Sequence, residues 1–228
     1  HYCGDLIIMS GLLLISGGLF TAITIGLFEL IGFNIEDFYF ENVVVWGLPS
    51  IPLIASYLIF NNKDLVSKIS PIIAKIFTPF VFLILSIFSF AIIFSDKNIL
   101  VDRELLLMFN IIIIAVLALI LFSLSHINNS NKFQFILLFS LSLISIIDNL
   151  IVLFAISSRL FEFGITPNRL ALTGLNLLVS FHLIIISRQL FLLILKKCNT
   201  KSVLNSIVSY LPIYVIWTSV IVFLFPII

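Results

Sequence analysis

Ile156-Ser-Ser-Arg-Leu-Phe-Glu-Phe-Gly-Ile-Thr-Pro-Asn-Arg-Leu170 is a polar segment between two long apolar runs. It holds two of the chain's four arginines. Each neighbouring run is long enough to cross a bilayer, which takes about 20 mainly apolar residues. Two such runs joined by a short polar turn are typical of a membrane protein built from helices, and the rest of the chain repeats the arrangement.

The composition requires lipid as the solvent for most of the chain. The 228 residues are 61% hydrophobic and 10% charged, whereas soluble domains are about 45–50% apolar and about 25% charged. Lipid offers no partner to unpaired backbone groups, and the apolar runs lack the alternation of barrel strands, so each run should be a helix. We predict an all-α, polytopic transmembrane helix bundle that forms one domain over residues 1–228. The predicted spans are 6–31, 41–60, 72–95, 105–125, 133–155, 170–195 and 203–227.

Several functional classes are disfavoured by what the sequence lacks. A net charge of +1 without a basic stripe argues against a nucleic-acid partner. Cys3 and Cys198 have no CxxC spacing, so they indicate neither a disulfide framework nor a metal site. HExxH, GxSxG and P-loop motifs are missing, and no nucleophile–base pair is visible. We therefore predict no cofactor and no metal, and disfavour an enzyme.

The basic residues predict how the chain is oriented, because cytoplasmic loops collect Lys and Arg. If residues 1–5 face the cytoplasm, the loops near 61–70, 126–132 and 195–202 do so too, and the C-terminus lies outside. The expected localisation is a bacterial inner (cytoplasmic) membrane with the Lys-rich loops inside. The cytoplasmic side would then hold eight of the twelve basic residues: Lys63, Lys68, Lys75, Lys132, Arg188, Lys196, Lys197 and Lys201.

Glycines and prolines mark places where the helices can pack closely or deviate from regularity. The glycines of the first span either allow close helix packing or are simply tolerated in lipid. Prolines predict irregularity in the second span, either a kink or a broken helix that lines a site, and kinks in the third and seventh spans. The residues concerned are Gly11, Gly17, Gly18 and Gly26, then Pro49 and Pro52, then Pro79 and Pro212.

Asp148 is the residue whose position demands most explanation. It lies near the middle of the fifth span, where a carboxylate costs about 2.5–3.5 kcal/mol on the insertion scale. His182 lies at a similar depth in the sixth span, so we predict an Asp148–His182 pair. The group would be either a proton or cation relay or a polar lock that fixes helix register. Its other candidate members are Asn149, Asn176, Ser180 and Asn110.

The polar segment at 156–170 predicts a tight turn and a second candidate site. Gly164 can take a positive φ, and Pro167 pushes Thr166 out of helical geometry. Asn168 can cap the following helix. Arg159 and Arg169 would form either an outward-facing site for an anion or headgroup, or a clamp that pins the turn. In the clamp, backbone carbonyls and Glu162, three residues after Arg159, would be the partners.

The turn also resembles a known pattern. Arg159-Leu-Phe-Glu-Phe-Gly-Ile-Thr-Pro-Asn-Arg169 is similar to the Arg-x4-Gly-(Ile/Leu)-Thr-x-Asn-Arg motif of the bacterial DUF4153 family of multi-pass membrane proteins. Asp102-Arg-Glu104 and Leu211-Pro-Ile-Tyr-Val-Ile-Trp217 also look similar to members of that family. The resemblance implies a bacterial inner-membrane protein without a settled activity. It supplies no catalytic residues, and it implies further spans before His1, so that this chain is the C-terminal part of a longer protein.

Two functions follow as hypotheses. The first is a transporter or permease-like protein that moves a small molecule or ion through a polar intramembrane site. The second is a non-transporting scaffold or sensor whose turn at 156–170 contacts a membrane-protein partner. Upstream helices of the same chain are a further possible contact, and the lipid bilayer is a partner in either case.

Overall fold

The computed structural model describes residues 2–61, 65–94, 103–125 and 132–225, and every regular element in these ranges is a helix. The α-helices are α1 (Tyr2–Leu30), α2 (Glu36–Tyr39), α3 (Val45–Asn61), α4 (Leu65–Ala91), α5 (Arg103–Leu124), α6 (Lys132–Phe163), α7 (Pro167–Ile194), α8 (Thr200–Val208) and α9 (Leu211–Phe223). A π-helix covers Phe40–Val44 and a 3₁₀ turn covers Ile92–Phe94.

The prediction of seven spans in an all-α bundle is confirmed. Within the described ranges, seven helical stretches are long and apolar enough to cross a membrane. The fifth extends to Glu162, beyond the predicted end at 155. Its last turns remain helical because a helix satisfies its own backbone whatever the polarity of its side chains.

The main core lies where α4, α5, α6 and α7 meet. Phe88, Phe109, Leu138 and Ile186, one from each of these helices, are almost completely buried in one cluster. The antiparallel pair α6 and α7 shares the most extensive interface, and α8 packs against α7 and α5. The central polar residues of these two spans, Asp148, Asn149, Asn176 and His182, are therefore buried inside the bundle.

α1 and α3 form a peripheral layer with a separate small core around Met9, Leu13 and Ala55. Close helix packing is found at only one glycine of α1. A Cβ at Gly26 would lie 3.1 Å from the Met108 methyl group, while Gly11, Gly17 and Gly18 face open space. The packing interpretation thus holds for Gly26, whereas the other three make no close contact among the described residues.

The prolines of the second and third spans lie inside continuous helices, so the second span is not broken there, and the kinks predicted in both spans stay predictions. α3 continues through Pro49 and Pro52, and the irregular stretch is the π-helix that precedes it. α4 likewise continues through Pro79. In the seventh span the helix ends at Val208 and restarts at Leu211, with Pro212 in the first turn of α9, where a missing N–H costs no hydrogen bond.

The orientation stays a prediction, because nothing in the structure distinguishes the two sides of the bundle. Lys63 and most of the loop at 126–132, both used for it, lie outside the described ranges.

Candidate functional site

A buried polar layer crosses the centre of the core between α4 and α6. Asp148 lies at the middle of the 32-residue α6 and is 1% exposed. The Ser89 hydroxyl oxygen lies 2.7 Å from Asp148 Oδ1 and 2.7 Å from the Leu85 carbonyl oxygen. A hydroxyl has one proton to donate and two lone pairs with which to accept. Ser89 can therefore donate to Asp148, or accept a proton from it while donating to Leu85.

The neighbouring Asn149 extends the polar layer towards α7. Its Nδ2 donates to the Asn176 carbonyl oxygen at 2.9 Å and to the Ser180 hydroxyl at 2.6 Å. The Asn176 side chain in turn donates to the Leu172 carbonyl. Consecutive helical residues point about 100° apart, so Asp148 faces α4 while Asn149 faces α7. The layer thus links three helices through two adjacent residues of α6.

His182 lies outside this layer, and the predicted Asp148–His182 pair is wrong. Its Nδ1 is 3.1 Å from the Tyr214 hydroxyl, and its ring stacks on Tyr210 with 4.5 Å between centroids. Ser180 and His182 are two residues apart on α7, so their side chains point about 200° apart around the helix axis. Ser180 faces α6, and His182 therefore faces away from it. The predicted match in depth is consistent with the contact between Asn149 and Ser180, which lie next to Asp148 and near His182 in the sequence. The predicted direction of the His182 side chain was wrong.

Three buried polar atoms in the described core have no hydrogen-bond partner. They are Asp148 Oδ2, Asn149 Oδ1 and His182 Nε2. The backbone of Ile207 lies close to the His182 ring, but Nε2 makes no hydrogen bond of acceptable geometry. An unsatisfied buried group costs free energy and calls for a functional or structural explanation. Two of the three belong to the layer around Asp148.

A second polar site lies at one end of the bundle, where the start of α5, the end of α6 and the start of α7 meet. It is a cavity of about 280 Å³. Arg159 and Arg169 both line it, so the structure brings the two predicted arginines together. The other polar lining residues are Asn110, Thr166 and Asn168, and the remaining wall is aliphatic. Asn110 therefore belongs to this cavity and not to the Asp148 layer.

The turn between α6 and α7 has most of its predicted features. Gly164 has φ of 81°, and Thr166 is extended at φ −125° and ψ 149°. The residue that caps α7 is Thr166, whose Oγ1 accepts from the Arg169 N–H at 3.4 Å. The prediction of Asn168 as the cap is wrong, because the helix already begins at Pro167 and places Asn168 inside its first turn.

The clamp interpretation has direct support at one arginine. Arg169 Nη1 donates to the Gly164 carbonyl at 2.8 Å, which ties the first turn of α7 back to the preceding loop. Arg159 is also engaged with another group of the protein. Glu162 is exposed near the end of α6, and its predicted pairing with Arg159 stays a prediction.

The turn yields a test of its backbone geometry. Gly164→Ala should lower the free energy of unfolding by about 1–2 kcal/mol, because a side chain at positive φ is strained although space is open around it. Gly17→Ala in α1 is the control, since its Cβ also meets open space but its backbone is helical. Thermal unfolding in detergent measures both. Equal midpoints for the two variants would contradict the strain argument.

Three residues of the sites were missed from the sequence. Ser89 is one of several serines in its span, and nothing local marks it as the partner of Asp148. Tyr210 and Tyr214 are four residues apart, a spacing that places both rings on one helical face. That spacing was a signal for a partner on a neighbouring helix, and the partner is His182.

Comparison with known proteins adds no relative. The chain matches no protein-family model, no curated protein and no solved structure. The resemblance to DUF4153 proteins therefore stays a prediction. Over the described ranges, His, Cys, Asp and Glu side chains do not gather into any group of three or more that could hold a metal.

Proposed function

We propose that this integral membrane protein is permease-like, and that the layer around Asp148 exchanges a proton or cation as part of transport. The observation that carries the proposal is the asymmetric environment of the buried carboxyl group. One oxygen contacts Ser89, and the other has no hydrogen-bond partner. A group that served only as a lock would be expected to satisfy both oxygens, since unpartnered atoms destabilise the state that they are meant to fix.

Ser89 gives the carboxyl group a way to change its protonation state without rearrangement. Because Ser89 is equally close to Asp148 and to the Leu85 carbonyl, its single proton can point to either. A charged Asp148 accepts from Ser89, whereas a protonated Asp148 can donate to Ser89. Ionisable groups inside a membrane are costly and commonly belong to proton or ion pathways.

Flux measurements on the purified chain in liposomes test this function. With a pH-sensitive dye inside, we expect ion-gradient-driven proton movement above that of protein-free liposomes. Asp148→Asn should reduce it by about tenfold or more, because the amide oxygen still accepts from Ser89 but the group cannot exchange a proton. Ser86→Ala is the matched control, since Ser86 lies one turn earlier and bonds only the Phe82 carbonyl in the described contacts. Equal flux for wild type and Asp148→Asn, under both sodium and potassium gradients, would contradict the proposal.

Water accessibility gives an independent measurement. Single cysteines at Asp148 and at Leu150, which is half-exposed on the outer surface of α6, would be labelled with a small impermeant thiol reagent. Cys3 and Cys198 are first replaced; Cys3 is exposed, and burial raises the pKa of the Cys198 thiol, which slows its reaction. Labelling at 148 but not at the lipid-facing 150 indicates a solvated pathway. Labelling at neither position favours a sealed polar lock.

A scaffold or sensor role is the second candidate, and it rests on the apolar residues of the turn. Phe161 is 86% exposed and Ile165 is 73% exposed, on either side of Gly164. A photoreactive amino acid at Ile165 should then crosslink to one discrete protein in native membranes, whereas the same probe at Phe154 should reach only lipid. Crosslinks to lipid at both positions would leave the turn without a partner.

A further inference from the structure

We propose that the cavity lined by Arg159 and Arg169 binds a phosphate group, carried either by the headgroup of a lipid or by a free anion. The two arginines approach the cavity from different helices, one near the end of α6 and one in the first turn of α7. This site is separate from the Asp148 layer, so the proposal stands or falls independently of the transport function.

The chemistry of the lining selects a phosphate. Guanidinium groups are planar forks that bind phosphate or carboxylate oxygens bidentately. Arg159, Arg169 and Asn110 each already contact another group of the protein. Because a guanidinium group has five donors and an amide has two, the lining still offers more donors than the two oxygens of a carboxylate can use. A phosphate has enough oxygens to contact both arginines and a neutral donor. None of the described lining residues is acidic.

The size and the remaining wall favour a headgroup over a whole lipid. Small-molecule sites usually occupy about 300–1,000 Å³, and this cavity of about 280 Å³ lies at the lower limit. Its aliphatic residues, Leu106, Leu107, Ile156 and Leu172, suit the first carbons that follow a phosphate. The acyl chains would then run outside the cavity along the bundle.

Arg169 is also fixed in position before any ligand arrives. Its bond to the Gly164 carbonyl uses one of the five guanidinium donors and holds the side chain against the turn. A side chain that is already ordered loses less entropy on binding. The clamp and the binding site are therefore compatible, but the experiment must separate them.

The test is calorimetric binding to the full chain in detergent, with dihexanoylphosphatidic acid and inorganic phosphate as separate probes. We expect binding that Arg159→Gln and Arg169→Gln each weaken by about tenfold or more. Arg188→Gln is the matched control, because Arg188 is exposed near the opposite end of α7. Saturable binding of the lipid alone identifies a headgroup site, and comparable binding of inorganic phosphate identifies a site for the free anion.

A cavity-filling variant keeps the test valid if loss of an arginine disturbs the turn. Leu107→Trp fills the cavity from α5 and leaves both arginines in the sequence, and it should also abolish binding. Ile111→Trp, one turn further along α5 on an exposed surface, should not. Failure of wild type to bind either probe overturns the proposal. So does binding that survives Leu107→Trp, or that falls equally with Arg188→Gln.

Discussion

Asn149→Ala should be among the most destabilising single substitutions in the bundle. Asn149 is completely buried, and its amide makes two hydrogen bonds to α7. Hydrogen bonds between membrane helices contribute about 0.6 kcal/mol on average and up to about 1.7 kcal/mol each. Losing both should therefore lower the free energy of unfolding by about 1–3 kcal/mol, with a further loss from the space that the side chain leaves.

Ser142→Ala is the matched control for this prediction. Ser142 is also fully buried on α6, but its hydroxyl bonds the Phe139 carbonyl of the same helix. Its removal should change the unfolding midpoint far less. Unfolding of the purified protein by titration with a denaturing detergent measures both variants. Similar losses for the two would mean that the Asn149 bonds to α7 add nothing beyond ordinary burial.

A double-mutant cycle can assign part of the loss to one contact. Ser180→Ala removes one of the two partners of Asn149, so the two substitutions should not be additive. The expected coupling is about 0.6–1.7 kcal/mol, between the average and the largest value for a single interhelical bond. Zero coupling would place the cost of Asn149→Ala elsewhere.

The spans were predictable because lipid restricts the chain so strongly. Apolar length sets where a helix can cross, and hydrogen bonding in lipid dictates that it is a helix. The ends were less predictable. α6 extends past its apolar run to the turn at Gly164, and the seventh span divides at 209–210 before Pro212. Both ends depend on local backbone geometry, which cannot be predicted from the average hydrophobicity of a stretch.

Only those features of the candidate sites that depend on local sequence or on position along a span could be predicted. The position of Asp148 along the fifth span correctly indicated a buried carboxyl group that needs a partner. Its partner is Ser89 on α4, which depends on how distant helices pack and not on sequence spacing. The prediction paired Asp148 with His182 because of their similar depth alone. The rotation of α7 about its axis directs the His182 side chain away from Asp148. The turn could be predicted from Gly164 and Pro167, whereas the closure of the cavity by α5 is a tertiary effect.

Gly174→Ala should displace α9 from α7. A Cβ at Gly174 would collide with the six-membered ring of the Trp217 indole, at Cζ2. The indole would have to move, and its Nε1 would lose the Ala171 carbonyl at 3.3 Å. Overpacking of this kind costs about 1–3 kcal/mol. Few buried contacts hold α9 in place, so the indole and α9 should be displaced more readily than α7.

Tryptophan fluorescence detects this displacement directly. With Trp46 replaced by Phe, Trp217 is the single tryptophan of the chain. Gly174→Ala should then shift its emission and lower the unfolding midpoint, whereas Gly47→Ala, whose Cβ meets open space, should do neither. In a Trp217→Leu background, Gly174→Ala should lower the unfolding midpoint far less, because the clash is with the indole. An equal decrease there would mean that the α7 backbone requires glycine for a reason other than the packing of Trp217. Because Tyr210 and Tyr214 reach His182 from the same segment, a displaced α9 should also disturb the ring stacking at that residue.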